Sequence, residues 1–548
     1  MYPRYVAGAI WKHDPQAEVV YSTIDQVRQS FDNAINLWST CDFVILIAGM
    51  IVPGKYIGGT PISVRETKTL FSDARLESTT SILVGPWANF GCGLEGGKLA
   101  MSSSLLSPPL DFIIAGDPEM VVSSIATANW SVEQAIHQIT SASPEQIQEF
   151  AVRGAGIVHQ HPGKQRGYLI AEIETYRGCP RFITGGCSFC VEPLYGNPQQ
   201  RPATDIVREI EVLYSTGVRA FRVGKQADLF TYGSKEMGDE EFPTPDPEVI
   251  EMLFSKIRTV APALNVLHID NVNPGTIARH PEESRAVAKA IMKHHTSGDV
   301  AAFGVESLDP EVIKRNNLKT SPEESLEAIR VLNEVGGARE PWGLPHLLPG
   351  INLLYGLPGE TKRTLEHNME FLRLLVNEGL VVRRINIRQV IGFDNTRLNG
   401  THRSALKRNL FFKHKEQVRE EIDTEMIKRV APPGTILRGV FIEHREGNSY
   451  LLRQLGTYPL LCHMPIGQDV HDQSDVVVID HGPRSLKVLP HPFMPNRASI
   501  AQWKSIPGIG AKRAVRIKGK ESYSDMDELE AQLDTELPAW LKHSIDFS

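Results

Sequence analysis

Six times between residues 169 and 390 a short apolar run gives way to a helix-like segment, and this alternation narrows the possible folds more than any other feature of the chain. The apolar runs fall at 169–173, 220–223, 266–269, 301–305, 350–355 and 385–390, with amphipathic segments such as 205–214, 310–314 and 322–334 between them. Unbroken apolar runs suit parallel strands buried on both faces, and parallel neighbours need a crossover, normally a helix. Six β/α repeats predict an incomplete parallel barrel, whose chemistry belongs at the carboxyl ends of its strands.

The first of these strands leads directly into a loop, Tyr176-Arg-Gly-Cys-Pro-Arg-Phe-Ile-Thr-Gly-Gly-Cys-Ser-Phe-Cys190, which holds Cys179, Cys187 and Cys190. An iron–sulfur cubane normally takes four thiolates. Three would leave one iron open to another ligand, just as an open position separates catalytic from structural zinc sites. A disulfide reading fits poorly, because three is odd and the other cysteines are scattered at 41, 92 and 462. Zinc stays as an alternative, since Cys187 and Cys190 have the Cys-x-x-Cys spacing, although no clear fourth ligand follows.

A chain of 548 residues predicts several domains. Residues 1–130 carry apolar runs at 5–11, 43–50, 81–86 and 111–115, read as buried strands of an open α/β (Rossmann-like) domain. A helical linker (131–165), the partial barrel (166–400) and a charged, solvated helical connector (401–430) follow. Alternating runs at 435–443, 476–480 and 486–489 then predict a small β-barrel over 431–495. The tail, 498–548, is helical with a sharp turn at Pro507-Gly-Ile-Gly510. The longest apolar run, 43–52, is too short to cross a bilayer, so no membrane association is expected. No secretory signal is evident, and few cysteines for the length predict a reducing, cytoplasmic setting. A net charge of -7 excludes a globally basic nucleic-acid coat but leaves room for a local basic patch.

The motifs, taken in order, resemble the radical SAM superfamily. Cys187-Ser-Phe-Cys190 keeps that family's spacing and its aromatic residue, Phe189, although seven residues separate the first two cysteines where the usual signature has three. Phe221-Arg-Val-Gly-Lys-Gln226 resembles the second-strand motif of tRNA methylthiotransferases, Gly304-Val-Glu-Ser307 the fourth-strand motif, and Tyr355-Gly-Leu-Pro-Gly-Glu-Thr361 the loop after the fifth strand. The resemblance implies a [4Fe-4S] cluster on Cys179, Cys187 and Cys190, whose open iron takes S-adenosyl-L-methionine. It further implies a cofactor seat made by Phe189, Gly224, Gln226, Glu306, Ser307, Gly356, Pro358 and Glu360. Lys319 stands near the place of a family arginine that pairs with the cofactor carboxylate.

The flanks resemble RNA-binding modules. Residues 434–489 are similar to the TRAM domain, with Arg438, Arg445, Arg453 and Lys487 expected near one surface and Tyr450 and Tyr458 available to stack on bases. The tail Ser505-Ile-Pro-Gly-Ile-Gly-Ala-Lys-Arg-Ala-Val-Arg-Ile517 resembles a helix-hairpin-helix. Such a turn offers backbone N–H groups to a phosphate, here through Gly508 and Gly510 with Lys512, Arg513 and Arg516 beside them. The whole arrangement is similar to archaeal-type Fe–S oxidoreductases that carry this hairpin.

Methylthiotransferases hold a second cluster on three more cysteines in their first domain, where this chain has only Cys41 and Cys92, so sulfur insertion does not carry over. Residues 111–119 are similar to the end of B12-binding domains, which raises cobalamin. No Asp-x-His-x-x-Gly pattern supports it. The expectation is an RNA-modifying radical enzyme, tRNA foremost, with ferredoxin or flavodoxin as reductant. Two alternatives stand beside it: a nucleic-acid-binding Fe–S protein of repair or RNA metabolism, and a radical SAM enzyme acting on a protein or small metabolite.

Overall fold

The computed structural model describes residues 1–49, 59–93, 96–398, 406–467 and 472–547. Met50, the start of the charged connector (401–405), residues 468–471 of the small barrel and Ser548 lie outside the described residues. Strands Ile170–Glu174, Ala220–Lys225 and Val266–Ile269 pair in parallel and in chain order. Past Asp270 the third strand resumes as Asn271–Val272 and pairs onward with Asp299–Glu306, Leu347–Tyr355 and Arg384–Gln389, again parallel and in order. Each of the six expected runs therefore lies on a strand of this array, and among the described residues its last strand does not pair with its first.

Returning helices begin where the sequence supplies stop-and-start chemistry. Pro322–Gly336 opens at Ser321, whose side chain accepts from the Glu324 amide while Glu324 reaches back to the Ser321 amide. Asp246 does the same work for Pro247–Val260 by accepting from Glu248 and Val249. Between helices and strands Phe221, Phe254, Phe303 and Leu372 are fully buried. Each such side chain contributes roughly 1.5–3 kcal/mol of transfer free energy.

The first domain corrects one expectation. Residues 5–11 are not a strand but part of helix Tyr2–His13, packed against helices Pro118–Thr127 and Pro144–Arg153. A short continuous apolar run has no periodicity to tell a buried strand from a helix buried all round. Glycines permit the close crossing: a Cβ on Gly8 would fall 1.9 Å from the Phe150 carbonyl oxygen, and one on Gly154 would fall 1.8 Å from that of Arg4. The sheet is consequently three parallel strands, Phe43–Ile47, Thr80–Val84 and Phe112–Ile113, adjacent in that order. This domain leans on the array through its own backbone, with Gly97 N–H donating to the Val390 carbonyl at 2.8 Å. Arg177 also reaches across, pairing with Asp117 at 2.7 Å, Glu119 at 2.5 Å and Glu174 at 2.9 Å.

The charged connector is not simply solvated. Helices Arg408–Val418 and Thr424–Val430, joined by a π-helical turn, bury Phe411, Val418, Ile422 and Met426 in the array's main core. The charges occupy only the outer face of an amphipathic segment. Beyond it five strands close into a small barrel in the order Ile436–Glu446, Ser449–Gln454, Leu461–Pro465, Leu486–Pro490, Gln473–His481. Helices Ile500–Ser505, Ala511–Lys518 and Met526–Leu533 follow, sharing a core with the barrel's Val477, Ile479 and Leu489. No helix among the described residues is long and apolar enough to cross a membrane.

Candidate active site and its relatives

The cysteine loop emerges at the carboxyl end of strand Ile170–Glu174, where the parallel array directs its chemistry. After Cys179 the chain makes a 3-10 turn, Pro180–Thr184, and reverses through Gly185 (φ +79°) and Gly186 (φ +63°). A side chain at Gly186 would collide with Pro193, whose Cγ lies 2.2 Å from the position of a Cβ. Asn316 and Asn317 then pin the loop to the far side of the mouth. Ser188 Oγ donates to Asn316 Oδ1 at 2.7 Å, and Asn317 Nδ2 donates to the Gly186 carbonyl at 2.9 Å.

Cys187, Phe189 and Cys190 pack with Val312, Leu318, Leu357 and Leu398 in one apolar cluster. Burial pushes the Cys179 thiol up to about 11 and raises Cys190 further. Burial also penalises the Lys319 ammonium, yet facing Cys187, Glu306, Cys179 and Cys190 outweigh it and hold its pKa above the ordinary value. The Glu306 carboxyl, fully desolvated and opposed by Lys319 and Arg388, is pushed up to about 7. Glu306 sits at φ +68°, at a register shift in strand Asp299–Glu306, a rare conformation outside glycine that turns its side chain into the mouth. The structure thus gathers three thiols, one ammonium and one carboxyl at a single mouth.

The other expected cofactor residues are placed as follows. Gln226 is buried and its amide is engaged, donating to the Val223 carbonyl at 3.1 Å and accepting from Thr175 at 3.3 Å. Gly224 lies in strand Ala220–Lys225 against the Arg222 side chain. Ser307 is buried, and its Oγ accepts from the Asp309 amide at 3.2 Å. In the loop after the fifth strand, Glu360 folds back to accept from Gly356 N–H at 2.7 Å, and Thr361 caps the next helix. The Pro358 carbonyl receives Asn316 Nδ2 at 2.8 Å, which ties this loop to the cysteine loop. Arg181 is a residue that motif reading passed over, and its signal was the wide gap between the first two cysteines. Its Nη1 donates to Cys187 Sγ at 3.1 Å.

The donor set fits an iron–sulfur cubane. Two cations, Arg181 and Lys319, lie beside the thiols, and their charge would compensate thiolates bound to metal. Among the described residues no three His, Cys, Asp or Glu side chains converge as ligands of one ion. In the first domain Cys92 Sγ lies against the Met101 carbonyl and Cys41 Sγ against that of Leu37. A crevice of about 600 Å³ lies between Ile113–Asp117 and Leu194–Tyr195, and no histidine lines it.

At the far end, Gly508 (φ +87°) and Gly510 both face open space, and Lys512 is exposed. Arg513 and Arg516 are turned back: Arg513 donates to the carbonyls of Gly508 and Asp534 at 3.0 and 3.4 Å, and Arg516 to that of Leu533 at 3.3 Å. On the small barrel Arg438 stands exposed in a 2.8 Å ion pair with Asp475. Two expectations for that surface fail. Tyr458 is buried with its hydroxyl on Asp270 at 2.7 Å, and Arg453 is held by Glu443 at 2.8 Å, so neither is available to a base or phosphate.

Comparison with known proteins agrees with this geometry. The family model of the radical SAM superfamily matches residues 173–372. An uncharacterised protein of Methanocaldococcus jannaschii is 46% identical over 497 residues, covering 89% of this chain and 88% of its own. One of Archaeoglobus fulgidus is 37% identical over 510 residues, covering 92% and 89%. A ribosomal protein uS12 methylthiotransferase of Methylobacterium radiotolerans is 23% identical over 281 residues, covering 51% and 56%. The match takes in the cysteine loop and the second to fifth strands of the array, and the chain belongs to the radical SAM superfamily.

Proposed function

We propose that this protein is a radical SAM enzyme that modifies a nucleotide in RNA, tRNA foremost. Cys179, Cys187 and Cys190 hold a [4Fe-4S] cluster, and S-adenosyl-L-methionine completes the open iron. The observation that carries this reading is the meeting of the three thiols with Lys319 and Glu306 at one buried mouth. When reduced, the bound pair supplies a 5′-deoxyadenosyl radical able to abstract hydrogen, and the protein's part is to seat and shield it.

Each residue then has its own task. Lys319 presents a positive charge to the cofactor carboxylate, and Glu306 receives its ammonium group, which returns the buried carboxyl to its ionised form. Leu357 and Phe189 exclude water from the cluster side, while Gly356 leaves room for close approach of backbone. The exposed turn at Gly508 and Gly510, with Lys512, serves as a phosphate contact that positions RNA without reading its sequence.

A protein substrate is the second reading, favoured by the relative named as acting on ribosomal protein uS12. Mass spectrometry of tRNA nucleosides from cells with and without the gene decides between them. Loss of one modified nucleoside, restored by the wild-type chain but not by Cys187→Ala, is expected. Unchanged nucleosides alongside an altered ribosomal peptide would move the reading to protein.

A further inference from the structure

Seven residues separate Cys179 from Cys187, and the structure gives this segment a use. Its 3-10 turn folds the Arg181 side chain under the loop, where the residue is 2% exposed. All three edges of the guanidinium are committed. Nη1 donates to Cys187 Sγ at 3.1 Å, Nε donates to Glu241 Oε1 at 2.8 Å, and Nη2 lies 3.5 Å from the Leu318 carbonyl. Thr184, from the same segment, donates to the same Glu241 oxygen at 2.9 Å, so the anchor is shared by the turn and its arginine. The Phe242 ring lies 5.7 Å from the guanidinium carbon. A buried arginine with fixed orientation and one donor aimed at a sulfur is a built feature; an arginine serving only to fold the turn has no need of the thiol.

We infer that Arg181 is a positioning residue that sets the reduction potential of the cluster through its hydrogen bond to the Cys187 thiolate. This deepens the proposed function and rests on the cluster being held by Cys187. One-electron reduction adds a negative charge to the cluster. A fixed cation donating to one of its sulfurs stabilises the reduced state more than the oxidised one, which raises the potential. Arginine suits the task because its charge is permanent and its planar fork grips Glu241 and the thiolate together; a lysine has one nitrogen for both. Lys319 faces the same thiols, but Arg181, itself paired with Glu241, is the cation that donates a hydrogen bond to one of them.

The test is a redox titration of the cluster, followed by electron paramagnetic resonance, without S-adenosyl-L-methionine. Wild-type, Arg181→Gln and Arg181→Lys proteins are reconstituted anaerobically, and iron and sulfide are counted in each. A wild-type chain that binds no cluster removes the functional reading itself, separately from this inference. With clusters present, Arg181→Gln is expected to lower the ratio of reduced to oxidised cluster at least tenfold at the wild-type midpoint, which for one electron is about 59 mV. Arg181→Lys is expected to fall between the two. If Arg181→Gln fails to assemble a cluster, the Arg181→Lys titration decides alone. A wild-type midpoint in either variant overturns the inference.

Discussion

Lys319 and Glu306 meet over the empty side-chain position of Gly304: a Cβ there would stand 2.5 Å from Lys319 Nζ and 2.7 Å from Glu306 Oε1. Only glycine lets this pair close on the mouth. The nearest obstacle is the tip of a flexible lysine, so Gly304→Ala should fold normally and simply push the ammonium aside. We expect unchanged iron content and at least tenfold weaker binding of S-adenosyl-L-methionine, about 1.4 kcal/mol, by calorimetry on the cluster-loaded protein.

Glu306 also gives a pH signature. In the folded chain burial raises its pKa from 4.5 to about 7. Between those values the folded state holds a proton that the unfolded state has lost, so this group's stabilising contribution is full below pH 4.5 and falls away as pH rises to 7. Glu306→Gln removes the penalty of burying a charge. In urea titrations its stability relative to wild type should be near zero change at pH 4.5 and rise to roughly 3 kcal/mol at pH 7, with no further gain above.

The small barrel inserts Tyr458 against Val300 and Ala302 of the fourth array strand, where its hydroxyl meets Asp270 and the Arg384 guanidinium lies 5.0 Å from its ring. Tyr458→Phe should therefore cost about 1–2 kcal/mol of stability. Its RNA affinity should equal that of wild type in a filter-binding titration. A large affinity loss without destabilisation would restore the residue to an RNA surface.

At the hairpin the basic residues should separate into two groups. Lys512→Ala is expected to weaken tRNA binding and reduce the slope of log affinity against log salt by about one. Arg513→Ala breaks contacts to Gly508 and Asp534 within the tail, so its main effect should be a lower melting temperature. Equal salt slopes for wild type and Lys512→Ala would remove the turn from the RNA interface.

The parallel array was legible because buried parallel strands announce themselves as unbroken apolar runs, and all six runs sit on strands. The same signal misled at residues 5–11, where apolarity on every side reflects a helix wedged between two others with Gly8 at the crossing. The connector misled in the opposite way, because its many charges hide the four residues it adds to the array's core. Strands Ser449–Gln454 and Leu461–Pro465 escaped notice since their burial comes from barrel closure rather than local pattern. At the site, the cysteines and Glu306 were readable from motif spacing. Arg181 was not, because its meaning depends on a turn that folds it back onto Cys187 and on Glu241, sixty residues away. Tyr458 looked like a stacking platform because sequence cannot tell an exposed aromatic from one plugged into a neighbouring domain.

The central claim is that the three thiols at this mouth hold a cluster that cleaves S-adenosyl-L-methionine. The most direct measurement is 5′-deoxyadenosine production by the anaerobically reconstituted protein with S-adenosyl-L-methionine and dithionite. The account predicts about four iron and four sulfide per chain with reductant-dependent 5′-deoxyadenosine, both lost in Cys187→Ala. Equal iron content and equal 5′-deoxyadenosine in wild type and Cys187→Ala would contradict it.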